Sequence, residues 1–518
     1  MMDRAQEPER KLRFARGQVN WFLALLCAFA GFRIFLYGAA FPVFNPVDEQ
    51  AHFDTVYKYA SGPIPSRIEP FSAETADLIF TYKSPEYLLA PEDFPGKAIP
   101  QPPWSLKTGS AQDYALKRVK ERVVEDLQAQ PNIESTQPPL YYGLAALWYK
   151  LGKVIGLSRG SELYWIRFLN IPLYVVLIRL SFFFLKRFFP DDALLPFGVP
   201  LFLAVIPQSI LCGMNNDVLS PLLFSLAFFG LVGISLSEEK SLSFYLLTGL
   251  VIALTMLTKI SNLAVLAAFA VILALKASRR KTGEKARGEP VKISMLILGA
   301  ALPIALWLWR NHFVLNDVTG SAEKIQHLGW TLKPFSDLWN HPFFTSNGII
   351  TFWHDLLASF WRGEFVWHKA LLSSPAFDAF YSLSSFLLIG VAAASVVRNG
   401  KERPRERFVC LLSLLIIGVS VAFLLTVSLA FDFHDCWYPS RNHPFLASGR
   451  LMFGAIVPFL ILYIAGFGCV MRKLRIQPFQ KAILVLMAAA IAVSEFVITC
   501  PVFTSSYNWF HVVGILSR

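Results

Sequence analysis

Stretches without charge, each long enough to cross a bilayer, recur along this chain from residue 20 to residue 503. No feature constrains the fold more. In hydrocarbon every backbone N–H and C=O must find its partner within the protein, and a helix needs about 20 mostly apolar residues to cross. Eleven segments qualify: 20–42, 163–186, 193–213, 217–236, 242–258, 260–277, 293–313, 379–398, 407–431, 449–470 and 481–503. The expected fold is an all-α integral membrane bundle of about 11 transmembrane helices with a long first outer loop. Only 16% of the residues are charged, against about 25% in an ordinary soluble domain. A twelfth apolar stretch, PLYYGLAALWYKLGKVIGL at 139–157, is shorter, aromatic, and interrupted by Lys150 and Lys153.

Excess Lys and Arg in short loops mark the cytoplasmic side. With eleven spans and a cytoplasmic N-terminus, the inner segments are 1–19, 187–192, 237–241, 278–292, 399–406 and 471–480. They hold the basic stretches RKLRFAR, ASRRKTGEKARGEPVK, VRNGKERPRER and MRKLRIQPFQK. Were 139–157 to span, every later basic loop would face outward, so it reads as an interfacial or re-entrant helix. The chain divides into a basic cytoplasmic start (1–19), a membrane domain (20–503) and an outer tail (504–518). The larger outer segments are 43–162 and 314–378. The expected setting is the cell (inner or plasma) membrane. The net charge of +12 then faces anionic membrane lipids, and nucleic acid is not an expected partner. KLRFAR opens a signal anchor without a cleavage site. In the first loop, PIPSRIEPF and AIPQPPW should be extended and 108–130 helical. Six cysteines without CxxC spacing indicate neither a zinc site nor a disulfide framework, although Cys436 and Cys500 could share the outer face. No internal repeat of the kind found in secondary carriers stands out.

Polar residues gather at the outer ends of the spans. FNPVDEQAHF, directly after the first span, sets Asp48 beside Glu49, with His52 and Asp54 close behind. Carboxylates there fit a helix N-terminus and its dipole; they also fit a catalytic carboxylate held at the membrane surface. Gln137 and Tyr141 open the interfacial stretch, Arg167 enters the second span, Asn215-Asn216-Asp217 form a turn, Lys259 interrupts LTMLTKISNLAV, Arg310-Asn311 close the seventh span, and Arg450 opens the tenth. Each alone reads equally as an interfacial anchor. Lys259 stands out because an unpaired lysine there costs about 3 kcal/mol on insertion scales. Arg167 and Arg450 lie where positive-inside bias does not account for them. Three cations facing a few carboxylates suggest a site for an anionic ligand such as a phosphate. Asn215 and Asn216 fit sugar hydroxyls or a helix cap. The Trp- and Phe-rich stretch 352–369 fits sugar stacking and, more simply, an interfacial aromatic belt.

VDEQAH, TQPPLYYGLAAL, LYWIRFLNIPLYVVLIRLSFFFLKRFFP, IPQSILCGMNNDVLSPLLFSLAFFGL, GLVIALTMLTKISNLAVL, LWLWRNHFVLND, FWHDLLASFWRGEFVW and ASGRLMFGAIVPFLIL occur in this order and sidedness. As a set, covering about residues 20–470, they resemble the lipid-dependent GT-C glycosyltransferases, the superfamily of protein mannosyltransferases and aminoarabinose transferases. They are most similar to a bacterial branch catalogued as membrane proteins of unknown function. The chain departs from the pattern with Val47 between Pro46 and the acidic pair, with Gln137 where relatives have His, and with Ser448-Gly449-Arg450-Leu451 near the tenth span.

The resemblance implies an inverting glycosyltransferase acting on the outer face. Its donor is a polyprenyl-phosphate or pyrophosphate sugar; its acceptor is an envelope glycan, lipid or protein. Asp48 would be the general base and Glu49 its companion, orienting a cation or the acceptor. Arg450 and Lys259, ahead of Arg167, would hold the donor phosphate, with Asn215, Asn216, Asp217, Gln137 and Tyr141 toward the substrate. Some relatives use a divalent cation, Mg or Mn. Asp48 and His52, four residues apart on one helix face, form the pair that could hold one, against the plainer reading that His52 packs or hydrogen-bonds. Two other functions remain open: a transporter or flippase of the lipid-linked precursor, and a non-catalytic scaffold of an envelope-assembly complex.

Overall fold

The computed structural model describes residues 3–46, 48–62, 64–237, 240–281, 288–399 and 403–515, and the side chains of these except at 3–19, 113, 279–281 and 399. The side chains of the basic start RKLRFAR, part of the basic loops 278–292 and 399–406, and Val47 within the acidic motif therefore lie outside the described residues. The chain is an all-α membrane protein, 74% helical with almost no sheet. Among the described residues, nine helices are long and apolar enough to cross a membrane: Asn20–Ala40, Ser161–Phe188, Asn216–Leu236, Ile260–Ser278, Glu289–Leu315, Pro375–Arg398, Pro404–Ala430, Gly449–Lys473 and Gln477–Val512.

The third and fifth expected spans are shorter, as Leu195–Val205 and Leu242–Met256. At 1.5 Å per residue, the 11-residue helix Leu195–Val205 covers only about half of a hydrocarbon core of about 30 Å. Pro207 removes a donor and Ile206 turns extended (φ −62°, ψ 124°), so the expected span 193–213 stops early and the chain continues as an irregular strap with a 3-10 turn, Ser209–Cys212. Irregular backbone survives at such depth only if protein groups satisfy it, and side chains do so here. Asn170 Nδ2 donates to the carbonyls of Leu211 and Gly213, both at 2.9 Å. Asn215 Nδ2 donates to Ile210 O at 3.1 Å. Gln208 anchors the strap to its neighbour by donating to Ser359 O and Phe360 O at 3.0 and 2.9 Å.

The segment 43–162, expected on the outer side, folds against the bundle. A helix at Glu49–Ser61 packs on the helix Leu140–Val154, which buries Tyr141, Tyr142, Ala145, Ala146 and Tyr149 on one face and leaves Leu147, Leu151 and Val154 exposed. Trp148 and Trp165 each donate an indole N–H to the other's carbonyl at 2.8 Å, their rings stacked at 4.5 Å. The expected helix in 108–130 runs Ala111–Ala129. In the second outer segment the helix Ser346–Arg362 carries the aromatic stretch inward: Phe352, Phe360, Trp361, Phe365 and Trp367 are all buried. That corrects the aromatic-belt reading, because Trp361 is fully buried and donates its indole N–H to Ser385 Oγ of the helix Pro375–Asn399 at 2.9 Å. The tail after Thr499 returns to the first loop, where Tyr507 OH donates to Pro100 O at 3.2 Å. All six cysteines are free thiols, so Cys436 and Cys500 are not bridged.

The largest apolar core joins the helices of the bundle. Inside it, Arg33 of the first span donates to Glu495 of the last at 2.6 Å and to Ala204 O at 3.1 Å. Both side chains are 5% exposed, so the pair joins the two ends of the membrane domain. Glu495→Ala should cost about 3–5 kcal/mol by leaving Arg33 uncompensated, read as a fall in the unfolding temperature in detergent. The double variant Arg33→Met/Glu495→Leu should recover most of that loss.

Candidate functional site

Asp48 and Glu49 are neighbours with opposite fates. Glu49 is fully buried. Its Oε1 accepts from Arg167 Nε at 2.7 Å and from the Met214 amide at 2.8 Å; its Oε2 accepts from Arg167 Nη2 at 2.6 Å and from the Phe44 amide at 2.6 Å. The remaining donors of Arg167 go to the carbonyls of Gly38, Phe41 and Pro42 at 2.9, 2.5 and 2.9 Å. All five guanidinium donors are thus committed. Arg167 is therefore unavailable to a donor phosphate, which corrects that expectation; of the two roles expected for Glu49, the orienting of a cation is the one present, the cation being Arg167, and the pair pins the chain after the first long helix. Asp54 is likewise engaged, with Ser72, Asn132 and Lys58.

Asp48 turns the other way. It occupies the N-cap position of Glu49–Ser61 in the left-handed region (φ 61°, ψ 6°), yet its side chain makes no capping bond. An Asp tolerates that conformation better than most residues. Its Oδ2 instead accepts from Arg450 Nη2 at 3.1 Å. Arg450 lies among three carboxylates: Asp48, Asp217 (Nη1 to Oδ2, 3.5 Å) and Glu364 (Nε to Oε2, 3.5 Å). Lys259 Nζ meets the other Asp217 oxygen at 2.5 Å. Exposure grades across the cluster, from 3% for Asp217 through 14% for Lys259 and 17% for Arg450 to 35% for Asp48. Asp48 is the carboxylate that faces outward.

The backbone explains how Arg450 arrives there. It sits in a 3-10 segment, Gly449–Ala455, that opens its span. The Gly449 amide donates to Ser359 Oγ at 2.9 Å, and a Cβ at Gly449 would collide with the Phe360 backbone. Only glycine permits that approach. Ser448 Oγ donates to Glu364 Oε2 at 2.7 Å and orients that carboxylate. A second ion pair, Lys324 Nζ to Glu134 Oε1 at 2.5 Å, lies close enough for Lys324 to act on Asp48.

Burial pushes the Asp48 carboxyl up, but Arg450, Lys324 and His52 outweigh it, and the group ends below its ordinary value of 3.8. Glu364 goes the other way, raised by burial despite Arg450 and Ser448. Burial lowers Lys259, opposed by Asp217. His52 is lowered by burial, against the pull of Glu134 and Asp48; its Nδ1 pairs with Tyr142 OH at 2.8 Å. Among the described residues, no group of three or more His, Cys, Asp or Glu side chains is placed to hold a metal ion. Arg450 fills the space between the carboxylates, and His52 turns to Tyr142, so the donor set does not fit an Asp48/His52 metal pair.

Of the other expected residues, Asn216 and Tyr141 are buried; the Asn216 amide lacks a partner among the described residues, while the Tyr141 hydroxyl faces the Asn215 backbone. Asn215 supports the strap, and Gln137 is half-buried before Leu140. Arg310 donates to Pro65 O at 2.6 Å. Sequence reasoning missed Glu364, Glu134 and Lys324. Glu364 carried one signal: it follows Gly363, which ends its helix at φ 80°, and places an acid among buried aromatics.

The model of the family described as predicted membrane protein (DUF2142) matches residues 32–433, and the chain belongs to that family. No curated protein and no solved structure matches it.

The depressed Asp48 carboxyl implies a pH dependence. Its pairing contributes stability above 3.8, its ordinary value, and loses it only as pH falls through the lower folded value. In Arg450→Gln, burial acts with its main opponent removed, so Asp48 should titrate above 3.8. The stability of that variant relative to wild type should then rise as pH falls from about 7 toward about 5, over and above any gain that the raised Glu364 carboxyl gives both proteins. Unfolding temperatures across that range decide it.

Proposed function

We propose that this member of a predicted-membrane-protein family is an inverting glycosyltransferase. It transfers a sugar from a polyprenyl-phosphate or pyrophosphate donor to an envelope acceptor at the outer membrane face. The observation that carries the reading is the pairing of a part-exposed Asp48 with Arg450, beside Lys259, at the end of the bundle away from the basic loops. In this reading the acceptor hydroxyl attacks the anomeric carbon, Asp48 takes its proton, and the anomeric C–O bond to phosphate breaks. A carboxylate already ionised at neutral pH needs only to accept the proton as attack proceeds. The lipid phosphate leaves as a stable anion, and Arg450 and Lys259 supply its countercharge.

The charges around Arg450 add a condition. Asp48, Asp217 and Glu364 face two cations, so an incoming phosphate enters a region with excess negative charge. Glu364, whose carboxyl burial raises, is the group best placed to take up a proton as the donor binds. The buried Asn216 amide, without a partner among the described residues, suits a sugar hydroxyl, since a buried polar group without a bond is costly.

One observation favours the second reading, carriage of the lipid-linked precursor across the membrane: the unwound strap after Val205, because interrupted helices are a mark of carriers. A single assay separates the two. Wild type and Asp48→Asn in nanodiscs receive radiolabelled polyprenyl-phosphate pentoses and hexoses with an envelope-glycan extract, and the same proteins in vesicles are scored for lipid movement between leaflets. Asn keeps the size and the tolerance of a positive φ. Transfer should fall about 100-fold or more in Asp48→Asn with donor binding retained. Equal transfer by both proteins removes Asp48 as the base, and lipid movement without transfer favours the carrier.

A further inference from the structure

A cavity of about 960 Å³ opens at the opposite end of the bundle from Arg450, where the helices Pro375–Asn399 and Ile456–Lys473 end, Pro404–Ala430 begins and Leu195–Val205 starts. The first two helices touch backbone to backbone at Leu388 and Gly466, where a Cβ on the glycine would collide with the Leu388 carbonyl. Just beyond that contact the wall is Val391, Ala392, Ala394 and Ser395 on one side and Gly468, Cys469 and Val470 on the other. Small side chains leave the wedge open. Deeper, it is lined by Leu387, Ile461 and Ile464.

The mouth is basic. Arg398, Arg403, Arg407, Arg472 and Lys473 line it. Among the described residues its two carboxylates are engaged: Asp192 accepts the amides of Leu194 and Leu195 at 2.6 and 3.0 Å, and Glu406 pairs with Arg403 at 3.2 Å. Arg472 Nη2 contacts Cys469 Sγ at 3.0 Å, a weak acceptor. An apolar wedge with a guanidinium-rich rim suits one chemistry, a phosphate on a hydrocarbon tail. Arginine binds phosphate oxygens in a fork, while the wedge takes the first carbons of the chain. Free phosphate would leave the apolar wall unused, and a zwitterionic lipid would set its own cation against the rim.

We propose that this cavity is a binding site for an anionic phospholipid, separate from the Asp48–Arg450 cluster and independent of the reading given to that cluster. The full chain, delipidated in detergent, is titrated with phosphatidylglycerol and with phosphatidylcholine under native mass spectrometry, and its unfolding temperature is followed with each lipid and with inorganic phosphate. Phosphatidylglycerol should bind one per chain, at least tenfold tighter than phosphatidylcholine, and raise the unfolding temperature. The triple variant Arg398→Ala/Arg407→Ala/Arg472→Ala should lose at least tenfold in phosphatidylglycerol affinity. Ala394→Trp, which fills the wedge from an exposed position and keeps every cation, should lose binding as well, so the test stands even if the triple variant does not fold. Equal affinity for the two lipids overturns the proposal, as does undiminished binding by folded variants. Protection by inorganic phosphate equal to that by phosphatidylglycerol, with Ala394→Trp unaffected, assigns the rim to free phosphate and overturns it too.

Discussion

The Arg167–Glu49 ion pair is the contact that fixes how the chain leaves the bundle after the first long helix. Its partners come from the end of the first span (Gly38, Phe41, Pro42), the start of the first outer helix (Phe44, Glu49), the second span (Arg167) and the strap before the third long helix (Met214). A buried charge is tolerable only when paired and fully hydrogen-bonded, and here both conditions are met with no donor of the arginine left over. The same requirement makes the arrangement unique, since a shift of the outer segment would strand a charge in a region without water.

That constraint explains why two adjacent carboxylates behave differently. With Glu49 held inward, Asp48 must leave the chain on another side, and the left-handed turn at its own backbone aims it at Arg450. Arg450 in turn depends on a glycine pressed against Phe360 and on Ser359, whose hydroxyl also donates to Ala447 O at 2.9 Å. Four distant parts of the sequence meet there: the first outer helix, the turn at Asp217, the end of the helix before Glu364, and the start of the tenth expected span. Asp48 is thereby held part-exposed beside cations, and the strap that carries Asp217 gains its order from Asn170, Asn215 and Gln208 rather than from helical bonds.

The two ends of the bundle have different electrostatics. Near Asp48, cations and carboxylates are interleaved and mutually paired. At the other end, arginines and a lysine border an apolar wedge, and the carboxylates among them are already satisfied. The first arrangement holds charges in defined mutual positions; the second leaves positive charge at the rim of an apolar wedge.

The sequence alone determined the all-α membrane class, because the length of an apolar run and the cost of unpaired backbone in lipid are local properties. It also marked the residues worth attention, since charges placed at the ends of apolar runs are legible one by one: Asp48, Asp217, Lys259 and Arg450 all appear in the cluster. It could not apportion roles among them. Arg167 and Arg450 look alike in sequence, each a cation at the outer end of a span. Only tertiary packing made one a saturated interior pin and the other a part-exposed partner of Asp48. Glu364 and Lys324 were hidden for the same reason, because ion pairing acts through space across separations of 86 residues (Glu364 to Arg450) and 190 residues (Glu134 to Lys324) that no local pattern records. The stop at Val205 was half legible, in Pro207. The polar side chains that make an unwound segment tolerable there come from elsewhere in the chain, and their contribution exists only once the fold has closed.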